Sequence, residues 1–264
     1  MTGGANGIGR ACCERLAREG ADVVVADLAD TGAAVAAVEA AGVRAVPVRA
    51  DAASEADNEA LMARAVAELG RLDILVTAAG VSHAEYQSGD GAADVQRILE
   101  RLAAGGDPAQ QFGELTLADW QRVIDINLTG TFLAVRAASR HVLAADRPAS
   151  FITIASIAAK DPEAAPLPYA VSKSGVWMLT KHAARSLGPR GIRVNAIGPG
   201  FIETNMTAIF GHIPGAREMI MAKIPLGRMG EPADVADLAV FLASDKSSYI
   251  TGQLIHPDGG WFTG

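Results

Sequence analysis

Tyr169 and Lys173 stand four residues apart, and Ser156 precedes the tyrosine by thirteen. On a helix, residues i and i+4 share a face, so a phenol and an ammonium at these positions can enter one pocket. A free phenol has a pKa of about 10 and is a poor acid or base near neutrality. A neighbouring ammonium favours the phenolate and lowers that value. A serine hydroxyl on a loop after an apolar run can hydrogen-bond a substrate oxygen while the tyrosine moves its proton. Such a trio suits proton transfer at a carbonyl or alcohol carbon. An ordinary helix with a buried aromatic and a solvated lysine shows the same spacing, so the rest of the chain has to decide.

The elements that would position these groups fit within 264 residues, enough for one large α/β domain with a well-covered core. Half of the residues are hydrophobic and a fifth are charged, as in soluble globular enzymes. A formal net charge of -7 argues against nucleic acid or an anionic membrane as a general partner. No apolar run approaches the roughly 20 residues that cross a bilayer, and no charged-then-apolar leader opens the chain. The two cysteines, Cys12 and Cys13, are neighbours and cannot staple distant segments, which fits a reduced, cytoplasmic setting. Five scattered histidines show no metal-ligand spacing, so no metal is expected.

Short apolar runs at 23–26, 43–48, 72–76, 151–154, 192–197 and 253–255 read as buried strands. Helical segments separate them: one up to about Gly20, an alanine- and valine-rich one ending near Gly42, one opening at Ser54 with Asp57 three positions on, and a long amphipathic one over 116–145. Another carries Tyr169 and runs to about Gly188, and one follows Pro232. Alternating strands and helices predict a single Rossmann-like, doubly wound parallel sheet with helices on both faces. No internal repeat or second domain is visible, and residues 1–264 read as one unit.

The chain opens Thr2-Gly3-Gly4-Ala5-Asn6-Gly7-Ile8-Gly9. Glycines at this spacing let the backbone turn sharply and approach a pyrophosphate, and a following helix N-terminus favours negative charge. Asp27 ends the next strand, eighteen residues after Gly9. A carboxylate there accepts hydrogen bonds from ribose hydroxyls and repels a 2′-phosphate, which predicts NAD rather than NADP. Asp51, after the following strand, is placed to touch an adenine edge, although a turn residue fits equally there.

In order along almost the whole chain, these residues resemble the short-chain dehydrogenase/reductase family. The match runs through Thr2 to Gly9, Asp27, Asp51, Ala79-Gly80, Asn127, Ser156, Tyr169 and Lys173. It continues through Pro199-Gly200 with Thr204 and closes at Asp258-Gly259-Gly260. The resemblance implies that Tyr169 is the general acid/base, that Lys173 lowers its pKa and holds the nicotinamide ribose, and that Ser156 binds the substrate oxygen. It implies that Asn127 bends its helix and holds a water in a proton relay. Gly3, Asn6, Gly7, Ile8, Gly9, Asp27, Asp51, Ala79 and Gly80 would contact the cofactor, together with Tyr169, Lys173, Pro199, Gly200, Ile202 and Thr204. Hydride chemistry would belong to the cofactor.

Three departures from the family pattern stand out. Thr77 and Ala78 replace the two asparagines usual before Ala79-Gly80, and the Thr77 hydroxyl is expected to keep part of their contacts. The stretch between Gly80 and Asn127 is longer than usual by roughly twenty residues. This insertion, about 82–112, carries Val95, Ile98, Leu99 and Leu102 at helical spacing; a lid, an interface arm and a passive surface loop all fit it. Third, the family carries an apolar central strand before its glycine loop, and only Met1 precedes Thr2. One residue cannot supply a strand of five or six, so the expectation is either a start further upstream or a gap in the sheet.

The expected activity is interconversion of a secondary alcohol and a ketone with NAD. The apolar residues Met206, Ile209, Phe210, Met219 and Met221 would cover a hydrophobic or alicyclic substrate. Two alternatives stand beside it: reduction of 3-oxoacyl groups with NADPH, and a non-catalytic nucleotide-binding protein on the same fold. Phe132, Leu133, Trp177 and Leu179 extend the apolar surface of two helices beyond one face, and the resemblance implies a homotetramer paired through those helices.

Overall fold

A computed structural model describes residues 1–86, 95–96, 99 and 108–263. Helix α1 (Gly7–Arg18) leads into β1 (Val23–Asp27), whose first four residues are all buried, as an apolar strand covered on both faces must be. Helix α2 (Gly32–Ala40) returns the chain to β2 (Ala45–Arg49). This strand lies at the sheet edge and tolerates Pro47 for that reason. Helix α3 (Glu55–Leu69) is capped by Ser54, whose hydroxyl accepts from the Asp57 amide, and it stops at Gly70 with φ of 80°. Next come β3 (Ile74–Thr77), α4 (Pro108–Glu114), α5 (Leu117–Ile124) and α6 (Gly130–Ala144). Strand β4 (Ala149–Ile154) precedes α7 (Leu167–Leu187) and β5 (Ile192–Ile197). The chain closes with α8 (Ala216–Ala222), α9 (Pro232–Ala243) and β6 (Leu254–Ile255).

Every strand pair is parallel. The residues of β1 alternate between two apolar layers, as the period of a strand requires. Val24 and Ala26 join Leu61, Ala134, Phe151 and Val194 on the side of α3, α6 and α7. Val23 and Val25 face Cys13 and Val38 on the side of α1 and α2. On that same side, Ile152, Ile154 and Ile197 pack with Cys12, Leu16 and the α9 residues Val235 and Leu242. The doubly wound expectation holds.

The sheet is interrupted where the missing strand was expected. Strands β2 and β1 form one set and β3-β4-β5-β6 the other. Thr2 alone bridges them, pairing with Ala26 on one side and Thr77 on the other. The Met1 carbonyl accepts from Ala26 N at 2.9 Å, Thr2 N donates to Val76 O at 3.1 Å, and Ala78 N donates to Thr2 O at 3.0 Å. Beyond Thr2, β1 and β3 flank a cavity of about 330 Å³ whose walls include Leu16, Val24, Leu61, Met62 and Leu75.

The single long helix expected over 116–145 is two helices, α5 and α6, joined by one wide π turn at Asp125–Thr129. Asn127 sits in that turn, fully buried. Side-chain bonds to Val81 and Ser172 draw it inward, and an extra residue in the turn accommodates that geometry. In the inserted stretch Val95 is buried, whereas Ile98 and Leu102 lie outside the described residues.

Candidate active site

At the carboxyl ends of β1, β3 and β4 a cleft of about 640 Å³ opens, the place where open α/β sheets bind ligands. Gly3, Asn6, Gly7, Ile8, Gly9, Asp27, Asp51, Ala79, Gly80, Tyr169, Lys173 and Thr204 all line it. Asn127, Ser156, Pro199, Gly200 and Ile202 do not. Asn127 and Ser156 are buried behind the wall. Gly200 packs on Asp258, whose Cα would lie 2.7 Å from an added Cβ. The Ile202 side chain is a core group packed with Cys12 and Ile154; the contribution expected of this residue is its backbone.

The glycine turn has the shape a pyrophosphate needs. Gly3 and Gly7 have φ of 67° and 52°, and a Cβ on Gly9 would lie 1.9 Å from the Gly3 carbonyl oxygen, so only glycine fits there. Asn6 is extended and makes no side-chain cap, and the α1 N-terminus faces the cleft with its positive end. The Asp27 carboxylate is fixed at the rim by the amides of Ala5 and Ala29, each at 3.0 Å. Asp51 accepts from the Ala53 amide at 2.9 Å and lines the cleft, so it serves its own turn as well. The residues present fit a dinucleotide.

At the other end, the Ser156 hydroxyl accepts from Ala158 N at 3.1 Å. The Lys173 ammonium donates to the Ile154 carbonyl at 2.8 Å and lies 5.5 Å from the Tyr169 ring centre. Burial dominates both titrations. The Tyr169 hydroxyl is held above its ordinary pKa by desolvation, opposed by the Ser156 hydroxyl. Lys173 is lowered to about 8 by desolvation. The net direction for the tyrosine is upward, opposite to the lowering expected from the lysine, with loss of hydration as the largest cause. Asn127 Oδ1 accepts from Val81 N at 2.8 Å, its Nδ2 donates to Val81 O at 3.0 Å and to Ser172 Oγ at 3.0 Å. Ser172 in turn donates to the Tyr169 carbonyl. Gly80 closes this corner, since a Cβ there would lie 3.2 Å from Asn127 Oδ1 and 3.4 Å from Lys173 Nζ.

Other expectations fare differently. The Thr77 hydroxyl is buried and has no hydrogen-bond partner among the described residues. Of the apolar residues expected over the substrate, Met206 lines the cleft, Ile209 is buried, and Met219 is 71% exposed and turned away. Leu28, Tyr86, Ile126 and Arg122 also line the cleft. Leu28 directly follows Asp27 and was readable from that position, whereas the others arrive by tertiary packing.

A glycine cradle, a rim carboxylate and a tyrosine–lysine pair within one cleft, with Ser156 buried behind its wall, define a nicotinamide-dependent oxidoreductase. Residues 3–262 match the family model described as Enoyl-(Acyl carrier protein) reductase. The chain is 38% identical to cis-4-hydroxycyclohexanecarboxylate dehydrogenase of Sinomonas cyclohexanicum, over 99% of this chain and 94% of that protein. It is 34% identical to 3-oxoacyl-[acyl-carrier-protein] reductase FabG of Staphylococcus aureus, over 99% and 96% of the two chains. A solved structure of a putative 2-deoxy-D-gluconate 3-dehydrogenase from Agrobacterium tumefaciens, with bound NADP, superposes with a TM-score of 0.82 at 30% identity, covering 99% of this chain and 94% of that one. The chain belongs to the short-chain dehydrogenase/reductase family and is an oxidoreductase acting on CH–OH groups, interconverting alcohol and ketone.

Proposed function

We propose that the protein oxidises an alicyclic secondary alcohol with NAD, and reduces the matching ketone in reverse. The observation that carries this reading is that Tyr169 and Lys173 line the same cleft as the glycine cradle and Asp27, with the Lys173 ammonium 5.5 Å from the phenol ring centre. In this reading the bound dinucleotide supplies the hydride acceptor. Ser156 holds the substrate oxygen. Tyr169 takes the hydroxyl proton as the carbon is oxidised and returns it during reduction. Lys173, buried beside the phenol ring, stabilises the phenolate while charged and fixes the ribose by hydrogen bonds. Asn127 holds Val81 and, through Ser172, the first turn of the tyrosine helix.

NAD is favoured over NADP because the fixed Asp27 carboxylate would repel a 2′-phosphate. The alicyclic class is supported by the relative named for a hydroxycyclohexanecarboxylate. A second reading, reduction of 3-oxoacyl groups with NADPH, has the reductase relative and the NADP-bound neighbour in its favour. A homotetramer is supported by Phe132, Val171 and Met178, which leave apolar surface exposed on α6 and α7; Leu133, in contrast, is core. Two free, buried cysteines suit a reduced cytoplasmic setting. Among the described residues no helix is long and apolar enough to cross a membrane and no metal-binding cluster occurs.

The decisive experiment pairs turnover with binding. A panel of cyclic secondary alcohols is offered with NAD and with NADP, using the wild type and Tyr169→Phe. The expected result is NADH formation by the wild type, a loss of about 10²- to 10⁴-fold in the variant, and unaltered NADH affinity. Turnover that survives the substitution, or a preference for NADP, goes against this reading.

A further inference from the structure

We propose that Arg122 is a binding residue for the cofactor's pyrophosphate, reaching it from the cleft wall opposite the glycine cradle; the proposal rests on the dinucleotide reading of the cleft. Three cations line that cleft: Arg10, Arg122 and Lys173. Arg10 is engaged with Glu14 at 2.8 Å. Lys173 is buried and committed to the Ile154 carbonyl. Arg122 is different. Its Nε–H donates to the Ala84 carbonyl at 2.6 Å, and it forms no ion pair among the described residues. One bond thus orients the guanidinium, and among the described residues neither terminal nitrogen has a partner. Elsewhere the arginines of this acidic protein are mostly paired with carboxylates, as in Arg44–Asp22, Arg136–Glu55 and Arg228–Asp234. An uncommitted, oriented guanidinium in a cleft that also holds Asp27 and Asp51 points to an anionic ligand, because a planar fork of donors suits phosphate oxygens.

The position of Arg122 selects the pyrophosphate. Arg122 near the end of α5 and Ile126 in the wide turn that follows both line the cleft. Met206 packs with Ile126 in the cluster formed by Val81, Tyr86 and Val123. Two residues earlier, Thr204 lies against Gly7 at the start of α1, with Thr204 Cγ2 3.4 Å from where a Gly7 Cβ would stand. The 204–206 segment therefore spans the cleft from the α1 N-terminus to the Arg122 face. An anion seated on the α1 N-terminus would occupy the same cleft as the Arg122 side chain. The backbone amides supply one side of its coordination and Arg122 the charge on the other.

The test is direct binding of NADH and of ADP-ribose, which keeps the pyrophosphate and lacks the nicotinamide, followed by calorimetry. Arg122→Gln is expected to raise both dissociation constants by a common factor of about five to ten. Arg122→Lys recovers part of this as a point charge. The wild type loses affinity more steeply than Arg122→Gln as salt rises. The KM for a neutral alcohol at saturating cofactor stays unchanged. Unaltered affinities for both ligands overturn the proposal. So does a rise in KM confined to carboxylate-bearing substrates, which would make the anion the substrate's own. A wild type that binds neither ligand defeats the dinucleotide reading instead, and so the two failures are distinguishable.

Discussion

Asn127 and Val81 are joined by two reciprocal hydrogen bonds: the Val81 amide donates to Oδ1 at 2.8 Å, and Nδ2 donates back to the Val81 carbonyl at 3.0 Å. This ring ties the wide turn between α5 and α6 to the loop that ends β3, and only a side-chain amide has both a donor and an acceptor at that spacing. Asn127→Asp keeps the acceptor and sets a carboxylate against the Val81 carbonyl. The expected cost is about 2 kcal/mol near neutral pH. Burial and the facing carbonyl raise the folded-state pKa of the new carboxyl. The protonated form donates as the amide did, so stability is retained at low pH and lost as pH rises through that folded value. Urea unfolding of both proteins at pH 5 and pH 8 checks the sign.

Lys173 makes the opposite kind of pH statement. Its ammonium is lowered from 10.5 to about 8 by burial, so between those values the unfolded chain binds more protons than the folded one. Wild-type stability therefore rises with pH across that window. A shift of this size corresponds to about 3 kcal/mol. Lys173→Met, which has no such titration, is expected to be inactive and to lose its relative stability advantage from pH 8 to pH 10. Denaturant midpoints of the two proteins over that range measure the difference, and a flat difference would contradict it.

Thr77 presents a buried hydroxyl with no partner among the described residues in a strand that pairs with Thr153 and touches Thr2. Valine has the same shape without the polar atom. Thr77→Val is expected to stabilise the fold by about 1 kcal/mol and leave NADH affinity unchanged. Thermal unfolding and a fluorescence titration suffice, and a destabilised variant would show that the hydroxyl has a role.

Trp261 joins three segments. Its indole nitrogen donates to Asp161 Oδ2 at 3.0 Å, its ring meets Phe201 at a tilt of 53° with centroids 4.8 Å apart, and Lys223 lies over it at 5.3 Å. The chain closing on Trp261 thereby links the loop after Ser156 to the 201–224 segment. Trp261→Phe keeps a ring and removes the donor. A several-fold rise in alcohol KM with unchanged NADH affinity is expected. Asp161→Asn has one acceptor oxygen for the two donors, Trp261 Nε1 and Glu163 N, and should show part of the same rise. Steady-state kinetics beside cofactor titration reads this split.

Much of the fold was legible because its signals are local. The apolar runs at 192–197 and 23–26 are strands within a residue, and Ser54 caps its helix as its spacing with Asp57 predicts. The Phe132 and Leu133 pair was not separable: adjacent helix positions face different ways, and only packing shows that Phe132 is 42% exposed and Leu133 buried. The break at Asp125–Thr129 was equally hidden, since its cause is a bond to Val81, 46 residues away.

Residue order alone determined that a glycine turn, a rim carboxylate and a serine–tyrosine–lysine set exist in this chain, because each depends on identity and short-range spacing. Tertiary structure decided what those groups feel. Burial, which no spacing encodes, holds the Tyr169 hydroxyl above and Lys173 below their ordinary ranges. It also placed the Ile202 side chain in the core and brought Arg122 onto the cleft. Hydration is lost only when distant segments close over a group, so its consequences appear only in the folded chain.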